Sequence, residues 1–298
     1  MRLLLLLFVL LASGPVWSKG TLVIVGGGLS ADNADIHRAF IDKAKGGKIA
    51  IVPSASGEPQ ASLDAFTENL IRYGVDRSRI LPVKIAEIDD PATNADELLW
   101  AGNAHSRDEI AKIDQADAVW FTGGDQARTY RLLIKSDKDT PMLAAIRKRL
   151  AAGAVIGGTS AGAAIMGTGM IFCGDPRRAS EKVSNVPEDC AAVEGGSEPL
   201  VLGKGLGFLP GYVVDQHFSQ RARLPRLLRA SACGAGRGIG IDEDTALIVN
   251  VKTQQANVTG RGKVTILESK RPIKACENFS GVFELGLYRS GQNFGLGT

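Results

Sequence analysis

Ala154-Val155-Ile156-Gly157-Gly158-Thr159-Ser160-Ala161-Gly162-Ala163-Ala164 is the stretch of this chain whose reading decides the fold. A short apolar run (Ala154, Val155, Ile156) leads into glycines, and the small residues after Ser160 suit a helix. The pattern predicts a buried strand, a sharp turn carrying the serine, and a helix from Ala161 to about Met166. A serine on such a turn projects its hydroxyl from the end of a sheet, and the glycines at 158 and 162 relieve crowding around the strain. The amides that open the helix point at the same spot, where they can stabilise an oxyanion. Ser160 is therefore the candidate nucleophile; a packing turn with an inert serine is the alternative.

Working outward, Thr21–Val25 reads as a strand ending at Gly26-Gly27-Gly28, followed by a helix over 35–45 and a strand over 48–53. A helix over 62–73 closes at Gly74. Strands follow at 80–83 and at 118–121, the latter stopping at Thr122-Gly123-Gly124, and helices at 126–134 and 141–151. Beyond the serine, 173–199 is polar and irregular, a long loop or lid. Strands resume at 212–214 and 238–241, and the last fifty residues read as antiparallel edge strands. This alternation implies an α/β fold with a doubly wound, mainly parallel sheet. Ligands in such sheets bind beyond the carboxyl ends of the strands, where the glycine turns at 26–28, 123–124 and 157–158 stand to share one crevice.

Residues 1–18 read as a signal peptide: Arg2, an apolar run over 3–12, and small residues around Val16-Trp17-Ser18. Such a run is too short for a bilayer core of roughly 30 Å, so no membrane association is expected once it is cleaved; a retained N-terminal anchor is the competing reading. That leaves 19–298 as a single α/β hydrolytic domain, exported to the periplasm or beyond. A net charge of +3 with no Lys/Arg run speaks against nucleic acid. Four cysteines without CxxC spacing speak against zinc or a redox dithiol. In an exported chain their even number permits Cys173–Cys190 and Cys233–Cys276 bridges, with four free thiols as the alternative. Gly26-x-Gly28-x-x-Ala31 matches a dinucleotide fingerprint, but the next strand ends in Val52-Pro53-Ser54 without the acid that would hold a ribose. No metal or organic cofactor is expected. A homodimer stays open.

A serine nucleophile needs a base, and there are only three histidines. His37, on an early helix, and His105, in a polar stretch, read as solvated surface. His217 follows a predicted strand, as Ser160 does, and is the base by position and elimination, with a satisfied structural histidine as the alternative. The acceptor that orients its imidazole falls among Asp242, Glu243 and Asp244, and spacing does not choose. The order serine, histidine, acid differs from the serine, acid, histidine of α/β-hydrolases. Gly124 can set an amide opposite that of Ala161 as a second oxyanion donor, with Gln126 toward substrate; a plain turn with Asp125 as helix cap is the bland alternative. Arg221, Arg223 and Arg226 suit substrate carboxylates, or internal salt bridges.

Four blocks in order carry a resemblance: Phe121-Thr122-Gly123-Gly124-Asp125-Gln126, Gly158-Thr159-Ser160-Ala161-Gly162-Ala163, Asp215-Gln216-His217-Phe218-Ser219-Gln220-Arg221-x-Arg223, and Gly238-Ile239-Gly240-Ile241-Asp242-Glu243. Together they resemble the cyanophycinases, within the serine-peptidase family that also holds the aspartyl dipeptidases. The resemblance implies a flavodoxin-like sheet akin to class I glutamine amidotransferases and a Ser160–His217–Glu243 triad. It also implies a pocket lined by Gln126, Asp215, Gln216, Arg221, Arg223 and Arg226. The implied substrate is cyanophycin, a poly-aspartate carrying arginine on each side-chain carboxylate, cut to β-Asp-Arg dipeptides. Leu224-Pro225 departs from the family, which usually has a glycine beside the last of these arginines, and stands to displace Arg226. An aspartyl dipeptidase is the competing enzyme, and a periplasmic peptide-binding protein the competing non-enzyme.

Overall fold

A computed structural model of the chain describes residues 20–181, 183–185, 190, 199–269, 276 and 282–297. The expected leader, parts of the 173–199 loop and part of the C-terminal fifty lie outside these residues. In chain order the elements are β1 (Thr21–Val25), α1 (Ala34–Lys43), β2 (Lys48–Val52), α2 (Pro59–Arg72), β3 (Ile80–Pro82), α3 (Arg107–Gln115), β4 (Ala116–Phe121) and α4 (Gln126–Leu133). There follow β5 (Ile134–Lys135), β6 (Lys138–Asp139), α5 (Pro141–Ala152), β7 (Val155–Thr159), α6 (Ala161–Ala164), β8 (Gly167–Cys173), β9 (Val201–Lys204) and β10 (Leu209–Asp215). The last are α7 (Leu224–Ala232), β11 (Arg237–Ile241), β12 (Thr245–Asn250), β13 (Gln255–Gly260), β14 (Lys263–Ser269), β15 (Phe283–Arg289) and β16 (Asn293–Gly295).

The larger sheet has eight strands in the order β16-β13-β12-β1-β7-β4-β2-β3. From β1 to β3 all neighbours are parallel, and β12, β13 and β16 extend it antiparallel. Its central strands are apolar at successive positions because both faces are covered. Leu22 and Ile24 of β1 pack with α3, α4 and α5, whereas Val23 and Val25 pack with α1 and α2. The fold is thus the expected α/β class, flavodoxin-like and akin to class I glutamine amidotransferases. α5 shows how local chemistry sets an element: Thr140 caps its start, Pro141 opens it, and Gly153 closes it in the left-handed region at φ 111°.

A second, six-stranded sheet (β15-β14-β11-β10-β8-β9) was not anticipated. Its parallel heart is β8-β10-β11. β8 escaped notice because Gly167 and Gly169 break its pattern, and packing demands both. An added Cβ would lie 2.2 Å from the Tyr212 carbonyl oxygen at Gly167 and 1.9 Å from that of Ala235 at Gly169. One buried cluster joins the sheets, with Leu22, Phe121 and Ile156 of the first against Met170, Val214 and Ile239 of the second. On the far face of the second sheet, Leu227 and Ala230 of α7 pack against Val213 and Leu267.

Candidate active site

Three strand ends meet where the sheets join. β7 delivers Ser160, β10 delivers His217 and β11 delivers Glu243. Ser160 adopts φ 53° and ψ −113°, a conformation that costs a non-glycine residue about 1–3 kcal/mol. The parallel register of β1 and β7 holds it there, with the Ser160 amide donating to the Val25 carbonyl at 3.1 Å. His217 is also left-handed, at φ 47°, and its amide donates to the Gly26 carbonyl at 2.6 Å.

The side chains form one line. Ser160 Oγ lies 2.9 Å from His217 Nε2, and His217 Nδ1 lies 2.5 Å from Glu243 Oε1. A carboxylate only accepts, so Nδ1 carries the proton and Nε2 accepts from the hydroxyl. Burial pulls the imidazole below its ordinary pKa, outweighing the hydrogen bond to Glu243, which acts the other way. The ring is therefore neutral near pH 7, as a base requires.

The neighbouring acids, which spacing could not rank, have other partners. Asp242 accepts from the amides of Ser219 and Lys263. Asp244 accepts from the Ser30 amide and Asn33 Nδ2 and pairs with Arg261. The glycine run after β1 forms the bed of the site. At Gly27 (φ 95°) an added Cβ would stand 2.4 Å from His217 Nε2, and at Gly28 one would stand 3.1 Å from Glu243 Oε2. Gln220 Oε1 accepts from the Glu243 amide at 3.1 Å, a contact that sequence reasoning missed although Gln220 lies in the His217 block. His37 corrects an expectation: it is buried, stacks on Tyr73 and reaches the Ser30 carbonyl. His105 is exposed.

A cavity of about 720 Å³ opens over Ser160, and Gly124, Gln126, Gln216, Arg221, Arg223 and Arg226 all line it. Ala161 opens α6, so its amide has no intrahelical acceptor. Asp125 caps α4. Gln126 donates its amide to the carbonyls of Ile171 and Phe172 on β8. Asp215, a pocket residue by the resemblance, is committed internally. It is 1% exposed, accepts two bonds from Arg226 (2.7 and 2.5 Å), and takes a longer one from Arg223. Arg223 also donates to the backbone and side-chain oxygens of Gln216, and burial beside Arg226 lowers its pKa to about 10. The internal-bridge alternative therefore describes Arg223 and Arg226, while Arg221 stays exposed. Pro225 sits in the first turn of α7, where proline is tolerated, and Arg226 beside it reaches Asp215 and the Gly174 carbonyl.

The profile of peptidase family S51 matches residues 22–257. A cyanophycinase of Geminocystis herdmanii is 35% identical over 224 residues, 74% of this chain and 70% of its own. One from Trichormus variabilis is 32% identical over 260 residues, 85% of this chain and 75% of its own. The solved structure of a peptidase from an acI-B1 Actinobacterium shares the fold, with a TM-score of 0.63 at 18% identity over 94% of this chain and 98% of that one. The class is that of a serine-type peptidase on an α/β scaffold. The chain belongs to peptidase family S51.

Proposed function

We propose that this peptidase is exported and hydrolyses cyanophycin to β-Asp-Arg dipeptides through an acyl-enzyme on Ser160. The observation that carries the reading is the hydrogen-bonded line Ser160–His217–Glu243 opening into an arginine-walled cavity. Similarity to two cyanophycinases supports the substrate.

In this reading His217 Nε2 takes the Ser160 proton as Oγ attacks the carbonyl that follows an aspartyl residue. Glu243 fixes the tautomer and stabilises the imidazolium. The amides of Gly124 and Ala161 hold the oxyanion, and the strained turn presents Oγ with little reorganisation. His217 then protonates the leaving amine, and water releases the acyl group by the reverse sequence. Gln126 fixes the β8 wall, and Asp215 holds Arg226 and Arg223 in place beneath Gln216 and the cavity. Arg221 is left to meet a substrate carboxylate. Export is supported by the signal-like residues 1–18 and the two disulfides.

Incubation with purified cyanophycin and mass analysis of the products tests the reading. It predicts β-Asp-Arg and no free arginine. Faster cleavage of plain Asp-Xaa dipeptides would make the enzyme an aspartyl dipeptidase instead.

A further inference from the structure

Among the described residues two exposed guanidinium groups line the cavity, and only one belongs to the resemblance-bearing blocks. Arg226 is spent on Asp215 and the Gly174 carbonyl, whereas Arg223 is buried and gives only Nη1 to Asp215 and Gln216, its Nε having no partner among the described residues. Arg221 has no side-chain partner among the described residues. The other open group is Arg177, whose side chain is 83% exposed.

Arg177 stands on a wall that is fixed from three sides. The carbonyls of Ile171 and Phe172 take the Gln126 amide, Cys173 is bridged to Cys190, and the Gly174 carbonyl accepts from Arg226 at 2.8 Å. Asp175 then caps a short 3-10 turn, Pro176–Arg178, by accepting from the Arg177 amide. The same carboxylate, 5% exposed, receives Arg177 Nε and Nη2. One edge of the guanidinium is thereby locked, and Nη1 has no acceptor among the described residues. An exposed ion pair contributes little to stability. Its consequence here is orientation, because a guanidinium held in place loses less freedom when it grips a carboxylate.

The charge balance of the cavity points the same way. Among the described residues Asp175 is its single acidic lining residue and is already taken by Arg177, so the side-chain donors left open there, Arg177 Nη1 and the Arg221 guanidinium, are cationic. We infer that Arg177 is a second carboxylate-binding arm, acting with Arg221 on the free carboxylate of an arginine unit joined to aspartate through its amino group. This rests on the cyanophycin reading for the identity of the carboxylate, but its test does not require turnover.

The experiment measures protection of Ser160 from a phosphonylating reagent by β-aspartyl-arginine and by its carboxamide. Both ligands are applied to the wild type, Arg177→Ala and Arg177→Lys. In the wild type the carboxamide should bind about tenfold or more weakly than the acid, the scale of losing one charged partner. Arg177→Ala should lose a similar factor for the acid and almost none for the carboxamide, and Arg177→Lys should recover part of the loss. Equal weakening of both ligands, no weakening, or no protection of the wild type by either would overturn the proposal. Cyanophycin cleavage by the wild type with no Arg177 effect would spare the substrate reading and remove this arm alone. Arg177-dependent protection without cyanophycin cleavage would keep the arm and remove that substrate.

Discussion

The chemistry at residue scale rests on backbone strain and on one buried ring. Ser160 pays for its exposed hydroxyl with a left-handed conformation that glycine adopts freely. Ser160→Gly should therefore be more stable than Ser160→Ala by about 1 kcal/mol in denaturant titrations. An equal or lower stability would mean that the turn is not strained. His217 makes a signed prediction. Burial lowers its pKa, and the cations of Arg221 and Arg223 lower it further. The acid limb of kcat/KM should thus have its midpoint below the ordinary histidine value of about 6.5. Arg221→Ala should move that limb toward higher pH. A limb above the ordinary value in the wild type would contradict the assignment of His217 as the free base. Gly27→Ala would push a methyl into the imidazole, and activity should fall by about a hundredfold or more as the Ser160–His217 line opens.

At the scale of elements, Asp215 couples the end of β10 to α7, so its removal should be read first in stability. Asp215→Ala would strand Arg226 and Arg223 without their buried partner, at a cost of about 3–5 kcal/mol by chemical denaturation. A variant that kept wild-type stability and lost only substrate affinity would return Asp215 to the role read from sequence. That role could not be judged from sequence because spacing does not show whether Arg223 and Arg226 meet a substrate or Asp215. The parallel core was legible for a clear reason. β1, β2, β4 and β7 are short apolar runs buried on both faces, and each ends at or near glycine or proline. β8 was illegible because its glycines answer to Tyr212 and Ala235, which are far away in sequence. Likewise Asp242, Glu243 and Asp244 are equivalent by spacing and differ only in the partners that tertiary packing brings. The resemblance singled out Glu243, and the geometry sets that residue against His217.

For the whole molecule, the two sheets share one buried cluster, and β4, β7, β8, β10 and β11 deliver residues of the site at their carboxyl ends. Both expected disulfides are present. Cys173–Cys190 stiffens the cavity wall, and Cys233–Cys276 ties the end of α7 to the segment before β15. Breaking the first, which spans 17 residues, should lower stability by about 2–4 kcal/mol, as read from unfolding of the Cys173→Ser, Cys190→Ser double variant. No loss would show that the wall stands without the bridge. Export belongs to this scale too. The protein recovered from outside the cytoplasm should begin at Lys19, and none of its four cysteines should alkylate without reductant. A retained Met1 in that fraction would refute leader cleavage.

The central claim is that Ser160, driven by His217 and Glu243, cleaves cyanophycin. The most direct measurement is mass-detected β-Asp-Arg release from cyanophycin by the wild type and Ser160→Ala, each checked for the same melting temperature. The variant's kcat/KM should fall by about a thousandfold or more. Residual activity within about tenfold of the wild type, a difference of only about 1.4 kcal/mol in the barrier, would contradict it.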